Sequence, residues 1–334
     1  MTAVFFGELM LRLSPPGREL LLQTPKFEVN VGGAEANVAT GLACLGHKVR
    51  MVSAVADNPL GAAVIGELRR RGVDTSTVAV EPGRLGLYFL TPGAGLRASE
   101  VVYDRAHSVF ADRAADAWDW DAALAGATRL HLSGITPALG PNSAAAAIAA
   151  AEAASARGVP VSFDGNYRAR LWEAWDSDPR AVLTTLIGHA DILFGNHRDV
   201  SLLLGRNFSG DGSDRRREAA EAAFAAFPKL RLIASTARHV VDADSHRVAA
   251  RIDTREAAHQ TDEVTIAGIV DRIGAGDAFA AGVLHGLAEG GDAAAAARSG
   301  LALTALKHSL PGDASLFTRG DLAAFDEGGL DVRR

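Results

Sequence analysis

The segment Asp271-Arg272-Ile273-Gly274-Ala275-Gly276-Asp277 sets two glycines one residue apart, directly before a carboxylate and an apolar, small-residue helix. A strand-like run, residues 265–270, leads into it. Glycines there let successive backbone N–H groups turn inward, and the new helix adds the positive end of its dipole. Together they make an anion site suited to phosphate. Asp277 falls in the first helical turn, where a carboxylate stays ionised. Beside a phosphate pocket it can orient a hydroxyl and accept its proton during phosphoryl transfer. A plain helix cap after a tight turn would use the same residue types. The segment is neither a Walker loop, since no Lys-Ser/Thr follows, nor a GxGxxG dinucleotide turn.

A second glycine site is Val31-Gly32-Gly33-Ala34-Glu35-Ala36-Asn37. Paired glycines at a strand-to-helix junction let a ligand approach the backbone, and Asn37 would sit on the first helical turns, able to hydrogen-bond a polyol. An ordinary turn is the alternative. Between the two glycine sites lie Phe163-Asp164-Gly165-Asn166-Tyr167-Arg168 and Asn196-His197-Arg198-Asp199, each at the end of a strand-like run. In open α/β sheets, ligands bind off the carboxyl ends of strands.

The elements that must carry these residues alternate. Residues 3–6, 49–55, 129–133, 161–164, 192–194 and 230–234 read as buried strands. Helical patterns cover 35–45, 59–71, 142–157, 179–190, 197–204 and 215–227. The alternation predicts a mostly parallel sheet covered on both faces. Residues 20–31 and 86–105 break the rhythm with β-formers and turn residues, and predict a small β-flap, a candidate lid. Residues 206–216 read as a solvated loop, and 240–260 lack an obvious hairpin turn.

Composition narrows the partners. The chain has 334 residues, with 34 basic and 40 acidic side chains and a net charge of −6. That balance argues against a nucleic-acid binder working through overall positive charge. The hydrophobic share of 48% and charged share of 22% are those of a globular protein. The single cysteine, Cys44, excludes an intrachain disulfide framework and a cysteine-built zinc site, and suggests a reducing, cytoplasmic setting. It is expected on an apolar helix face, buried and inert. No apolar run is long enough to span a membrane, and the N-terminus does not read as a targeting segment. The ten histidines show no HxxxH or HExxH pairing, and His131 reads as a core histidine.

Taken in order and spacing, GGAEANVATGLACLG, the Asn-x-x-acid motif and DRIGAGDAFAAG make the chain resemble the ribokinase-like (PfkB) sugar kinases over nearly its whole length. The resemblance implies one ribokinase-like α/β domain over residues 1–334. It would be a three-layer sandwich with a β-lid from about 10–31 and 86–110. It implies transfer of the ATP γ-phosphate to a sugar hydroxyl, with Mg²⁺ neutralising charge and a monovalent cation as a candidate third cofactor. Asp277 would be the base, and Gly274, Ala275 and Gly276 the anion hole. Asn196 and Asp199 would organise Mg²⁺ and phosphates, mostly through water, and Asn166 would lie near the nucleotide. Asp199 stands where the family usually has Glu, one methylene shorter.

The sugar is read from further motifs. GELMLRL, YDRA, NYR with a following LW, and LKHS with PGD resemble the 2-keto-3-deoxygluconate kinases. By that resemblance Gly33, Ala34, Glu35, Ala36 and Asn37 line the sugar, Tyr88, Tyr103 and Arg105 come from the lid, Arg168 holds the carboxylate end, and Asp313 approaches the sugar. Arg12 stands where simpler relatives have a sugar-binding Asp. Guanidinium forks suit a carboxylate, and a neutral hexose would leave two such charges poorly compensated. Where many relatives carry Lys-x-Gly-x-x-Gly, this chain reads Ala234-Ser235-Thr236-Ala237-Arg238-His239, so Ser235, Thr236 and Arg238 are expected at the nucleotide with altered contacts. The alternatives are another PfkB kinase, of fructokinase type, and a non-catalytic sugar- or nucleotide-binding module. The lid strands offer an edge on which a second subunit could pair.

Overall fold

The computed structural model describes residues 2–208 and 212–328. Among them are the strands β1 (Thr2–Phe6), β2 (Met10–Ser14), β3 (Glu28–Gly32), β4 (Lys48–Ala56), β5 (Asp74–Glu81), β6 (Gly86–Thr91) and β7 (Glu100–Asp104). The later strands are β8 (Ala127–Ser133), β9 (Val161–Asp164), β10 (Ile192–Phe194), β11 (Leu232–Asp242), β12 (Ser245–Thr254), β13 (Ala258–Gln260) and β14 (Val264–Ala267). The helices are α1 (Ala34–Cys44), α2 (Pro59–Arg70), α3 (Val109–Asp112), α4 (Trp120–Ala123), α5 (Pro141–Ala156) and α6 (Ala169–Trp172). They continue with α7 (Pro179–Gly188), α8 (His197–Leu204), α9 (Gly212–Ala226), α10 (Ala275–Ala288), α11 (Ala293–Lys307) and α12 (Arg319–Asp326).

The large sheet runs β13-β12-β11-β10-β9-β8-β1-β4-β5, with β14 added beside β12. From β11 to β5 every neighbour is parallel, and β12 opens the antiparallel edge. From β1 the chain crosses to β4 on one side, whereas β8, β9, β10 and β11 step away on the other. Right-handed crossovers in opposite directions put helices on opposite faces. The reversal lies between β1 and β8, and the strand ends beside it are where such sheets take ligands. Val4, Phe5 and Phe6 are wholly buried, as the centre of a doubly covered sheet requires.

Met10–Ser14 and the three strands β3, β6 and β7 form a second sheet, ordered β3-β2-β6-β7. The β2–β6 pair is parallel and the outer pairs are antiparallel. Its small apolar cluster is Met10, Tyr88 and Leu90, with Ile273 of the glycine turn packed against it. The lid therefore touches the anion loop directly.

Five expectations change. Residues 20–27 are turn and coil, with Leu22 at φ 64°, and only the end of that stretch is strand. β5 was not foreseen, because the sequence DTSTVAVE at the sheet edge is polar and only partly buried. The loop expected over 206–216 is helical from Gly212, with 209–211 outside the described residues. Residues 240–260 do contain a hairpin between β11 and β12. Its turn has no glycine or asparagine, and it is closed by Asp244 N–H donating to Asp242 Oδ1 at 2.8 Å, an Asx turn. Cys44, at the end of α1, is half-buried rather than buried. No helix among the described residues is long and apolar enough to cross a membrane.

Candidate active site

A cleft of about 910 Å³ opens at the carboxyl ends of the central strands, under the lid. Gly274 begins its floor. It sits at φ 76°, and a Cβ there would collide with the Asp313 carbonyl, so only glycine fits both the turn and the approach. The N–H of Ala278 already bonds the Gly274 carbonyl, as α10 begins. Gly274, Ala275 and Gly276 line the cleft with Asp277 behind them. Asn37 Nδ2 donates to Asp277 Oδ2 at 2.7 Å, joining the two glycine motifs across 240 residues. Burial, with further repulsion from Asp164, Asp313 and Glu35, pushes the Asp277 carboxyl up to about 8, so its place in the first helical turn does not keep it ionised as expected.

Gly33, at φ 142°, abuts the Glu8 carbonyl, and Gly33, Ala34, Glu35 and Asn37 all line the cleft. Ala36 does not. It is 2% exposed and belongs to the main core, because its position on α1 faces the sheet. Glu35 is buried and accepts from Ser133 N–H at 3.1 Å and from the hydroxyls of Ser133 and Thr136, each at 2.7 Å. Its other oxygen has no hydrogen-bond partner among the described residues. Burial raises its carboxyl above the ordinary range.

From the lid come Tyr88, Tyr103 and Arg105. Arg105 is 6% exposed and forms a buried ion pair with Glu8, its Nε lying 2.8 Å from Glu8 Oε2. Ser108 donates to the other Glu8 oxygen. The Arg105 charge is therefore compensated within the protein. Arg168 is exposed on the far wall, and no carboxylate lies within ion-pair distance of it among the described residues. Asp313 lines the cleft, but Arg12 and Tyr88 hold its two oxygens.

Arg12 corrects the sequence reading. It does not reach the cleft. It is 2% exposed on the lid strand β2 and pairs with Asp271 at 2.7 Å and Asp313 at 2.9 Å. The cleft acid after β1 is Glu8, because the chain leaves β1 at Phe6 and enters β2 only at Met10.

At the other end, Asn196 caps α8 and Asp199 answers it. Asn196 N–H donates to Asp199 Oδ2 at 2.7 Å, and Asn196 Oδ1 accepts from Arg198 N–H at 2.9 Å. The Asn-x-x-Asp motif is thus a capping box whose residues also line the cleft. Asp164, at the end of β9, was missed as a site residue although its motif was noticed. It lines the cleft, accepts from Asn166 N–H at 3.1 Å, and is pushed up to about 7 by burial and by Asp199. Asn166 holds φ 35°, a conformation asparagine tolerates. Two neighbouring half-buried carboxylates, Asp164 raised by Asp199 and Asp199 raised by its own burial, are a donor set suited to a hard divalent cation. Ser235, Thr236 and Arg238 line the same end, joined by Arg198 and Arg272, and Arg216 borders the adjoining recess.

Away from the cleft, His131 is the core histidine expected, 1% exposed, bonded to Ser162 and held at about 3 by burial. The fold also joins His47 and His285 at 2.7 Å beside Glu289, a grouping that sequence spacing did not suggest. Both Glu289 oxygens already take Arg319 at 2.8 Å.

A strand-end cleft with a glycine-turn anion site, a carboxylate behind it and a β-lid above defines a kinase of small polar molecules. The family model described as "pfkB family carbohydrate kinase" matches residues 2–317, and the chain belongs to that family. It is 32% identical to a 2-dehydro-3-deoxygalactonokinase of Haloferax volcanii, over 98% of each chain. It is 29% identical to a 2-dehydro-3-deoxygluconokinase of Bacillus subtilis, over 97% of this chain and 95% of that one. The crystal structure of a 2-dehydro-3-deoxygluconokinase from Thermotoga maritima superposes with a TM-score of 0.92 at 38% identity, covering 98% of this chain and all of that one.

Proposed function

We propose that this carbohydrate kinase transfers the γ-phosphate of ATP to the 6-hydroxyl of 2-keto-3-deoxygluconate, with Asp277 as the base. The observation that carries the reading is Asp277 itself, behind the Gly274–Gly276 turn and tied to Asn37 of the sugar-side motif. The keto-deoxy sugar acids acted on by the similar proteins name the substrate class. Arg168, exposed and without a carboxylate partner, suits the substrate carboxylate. Arg105 keeps its place in the sugar wall with its charge already balanced by Glu8.

The Gly274–Gly276 amides would hold the transferring phosphoryl group, and Asp277 would take the acceptor proton as the hydroxyl attacks. Asp164 and Asp199 would hold Mg²⁺, with Asn196 beside them, and Mg²⁺ when bound neutralises phosphate charge. Lid closure over the sugar excludes water, which would otherwise compete as acceptor. A coupled ADP-release assay over a panel of sugars tests the reading. Turnover of the keto-deoxy acid well above that of fructose or ribose is expected. Good turnover of the neutral sugars with none of the acid would instead support a fructokinase-type enzyme.

A further inference from the structure

Lys307, the last residue of α11, is wholly buried, and none of the steps above uses it. Its ammonium makes no ion pair among the described residues. It donates instead to backbone carbonyls, those of Leu310 at 3.0 Å and Asp271 at 3.5 Å. These carbonyls belong to two loops that are bonded together behind the anion hole. Val270 N–H bonds the His308 carbonyl at 2.8 Å, and Gly312 N–H bonds Asp271 Oδ2 at 3.1 Å. The Asp313 carbonyl then abuts Gly274, the first residue of the hole. Burial lowers the Lys307 ammonium from its ordinary value, while the carboxylates of Asp271, Asp313 and Asp277 favour its charge and Arg12 opposes it.

A positive charge held by carbonyl oxygens of two loops is the arrangement a monovalent cation would adopt to order this turn. We infer that Lys307 is a built-in cation, which fixes the loops of residues 270–274 and 308–313 so that the anion hole needs no monovalent ion. The monovalent cation that the family resemblance admits does not fit here, because the tethered ammonium already takes the Asp271 and Leu310 carbonyls. Lys307 is then a positioning residue, acting through the backbone of Gly274. The inference rests on the kinase reading for its activity arm only.

The test compares the wild-type chain with Lys307→Ala and Lys307→Met in choline chloride and in KCl or NH₄Cl, at a fixed ionic strength of about 0.1 M. Wild-type kcat and Tm are expected to be the same in all three salts. In choline, Lys307→Ala should lose about 10²-fold in kcat, the scale of a 1 Å misplacement of reacting groups. K⁺ or NH₄⁺ should restore much of that loss and raise the Tm of the alanine chain, while Lys307→Met, which fills the space, gains nothing. Activation of the wild type by K⁺ overturns the inference. So does an alanine chain that is fully active in choline, or one that is folded, impaired and unresponsive to either ion. If the keto-deoxy acid proves not to be the substrate, the kinase reading fails while the salt-dependent Tm still decides the inference.

Discussion

At the lid end, charges are paired before any ligand arrives: Arg105 with Glu8 in the cleft wall, and Arg12 with Asp271 and Asp313 beneath it, while the Asp277 carboxylate accepts from Asn37. At the Asn196 end, Arg198, Arg216, Arg238 and Arg272 stand with no carboxylate in ion-pair distance among the described residues. The contrast assigns two kinds of recognition. The sugar end is a preorganised surface whose geometry selects. The nucleotide end is a set of uncompensated cations that a polyphosphate completes. A protein with net charge −6 can therefore bind two anions through local devices.

The largest effect expected is at the point where the two ends meet. Asp277→Asn should bind the sugar acid about as well as the wild type by calorimetry, yet lose about 10²–10⁴-fold in kcat. Turnover that survives largely unchanged would remove Asp277 from the base role. Next, the lid end should be sensitive in stability. Glu8→Gln leaves the Arg105 guanidinium buried and uncompensated, at a cost of about 3–5 kcal/mol in denaturant unfolding. Arg238→Met at the open end should change stability little, by about 0.5 kcal/mol or less, and raise the KM for ATP instead. Equal destabilisation by both substitutions would erase the distinction.

Two smaller effects sharpen it. Raising salt from about 0.05 to 0.3 M should raise the KM for ATP several-fold and the KM for the sugar acid less, because the polyphosphate meets several unpaired arginines and the sugar carboxylate only Arg168. The pH dependence follows from Asp277. A base works only when deprotonated, and its carboxyl is raised to about 8, so kcat/KM in the sugar should fall as pH drops below that value. A profile flat down to pH 5 would show that the base titrates in the ordinary carboxylate range.

How far the sequence reached depended on how local each feature is. The 271–277 turn was legible because a strand, two glycines and a helix start are adjacent in the chain. β9 and β10 were placed residue for residue because each is a short buried run, Val161–Asp164 and Ile192–Phe194, bounded by polar or glycine-containing turns. The Glu8–Arg105 pair spans 97 residues and leaves no mark in spacing. Arg12 was read into the cleft because its position counts correctly along the chain. The break between β1 and β2 turns Glu8 inward instead, and a count of residues does not contain that break. The 242–245 turn escaped because an aspartate, not a glycine, closes it.

The most direct test of the account is a crystal structure with 2-keto-3-deoxygluconate and a non-hydrolysable ATP analogue. The account predicts the 6-hydroxyl within hydrogen-bond reach of Asp277, about 2.6–3.2 Å, and the carboxylate on Arg168. A 6-hydroxyl turned away from Asp277, with the carboxylate meeting neither Arg168 nor Arg105, would contradict it.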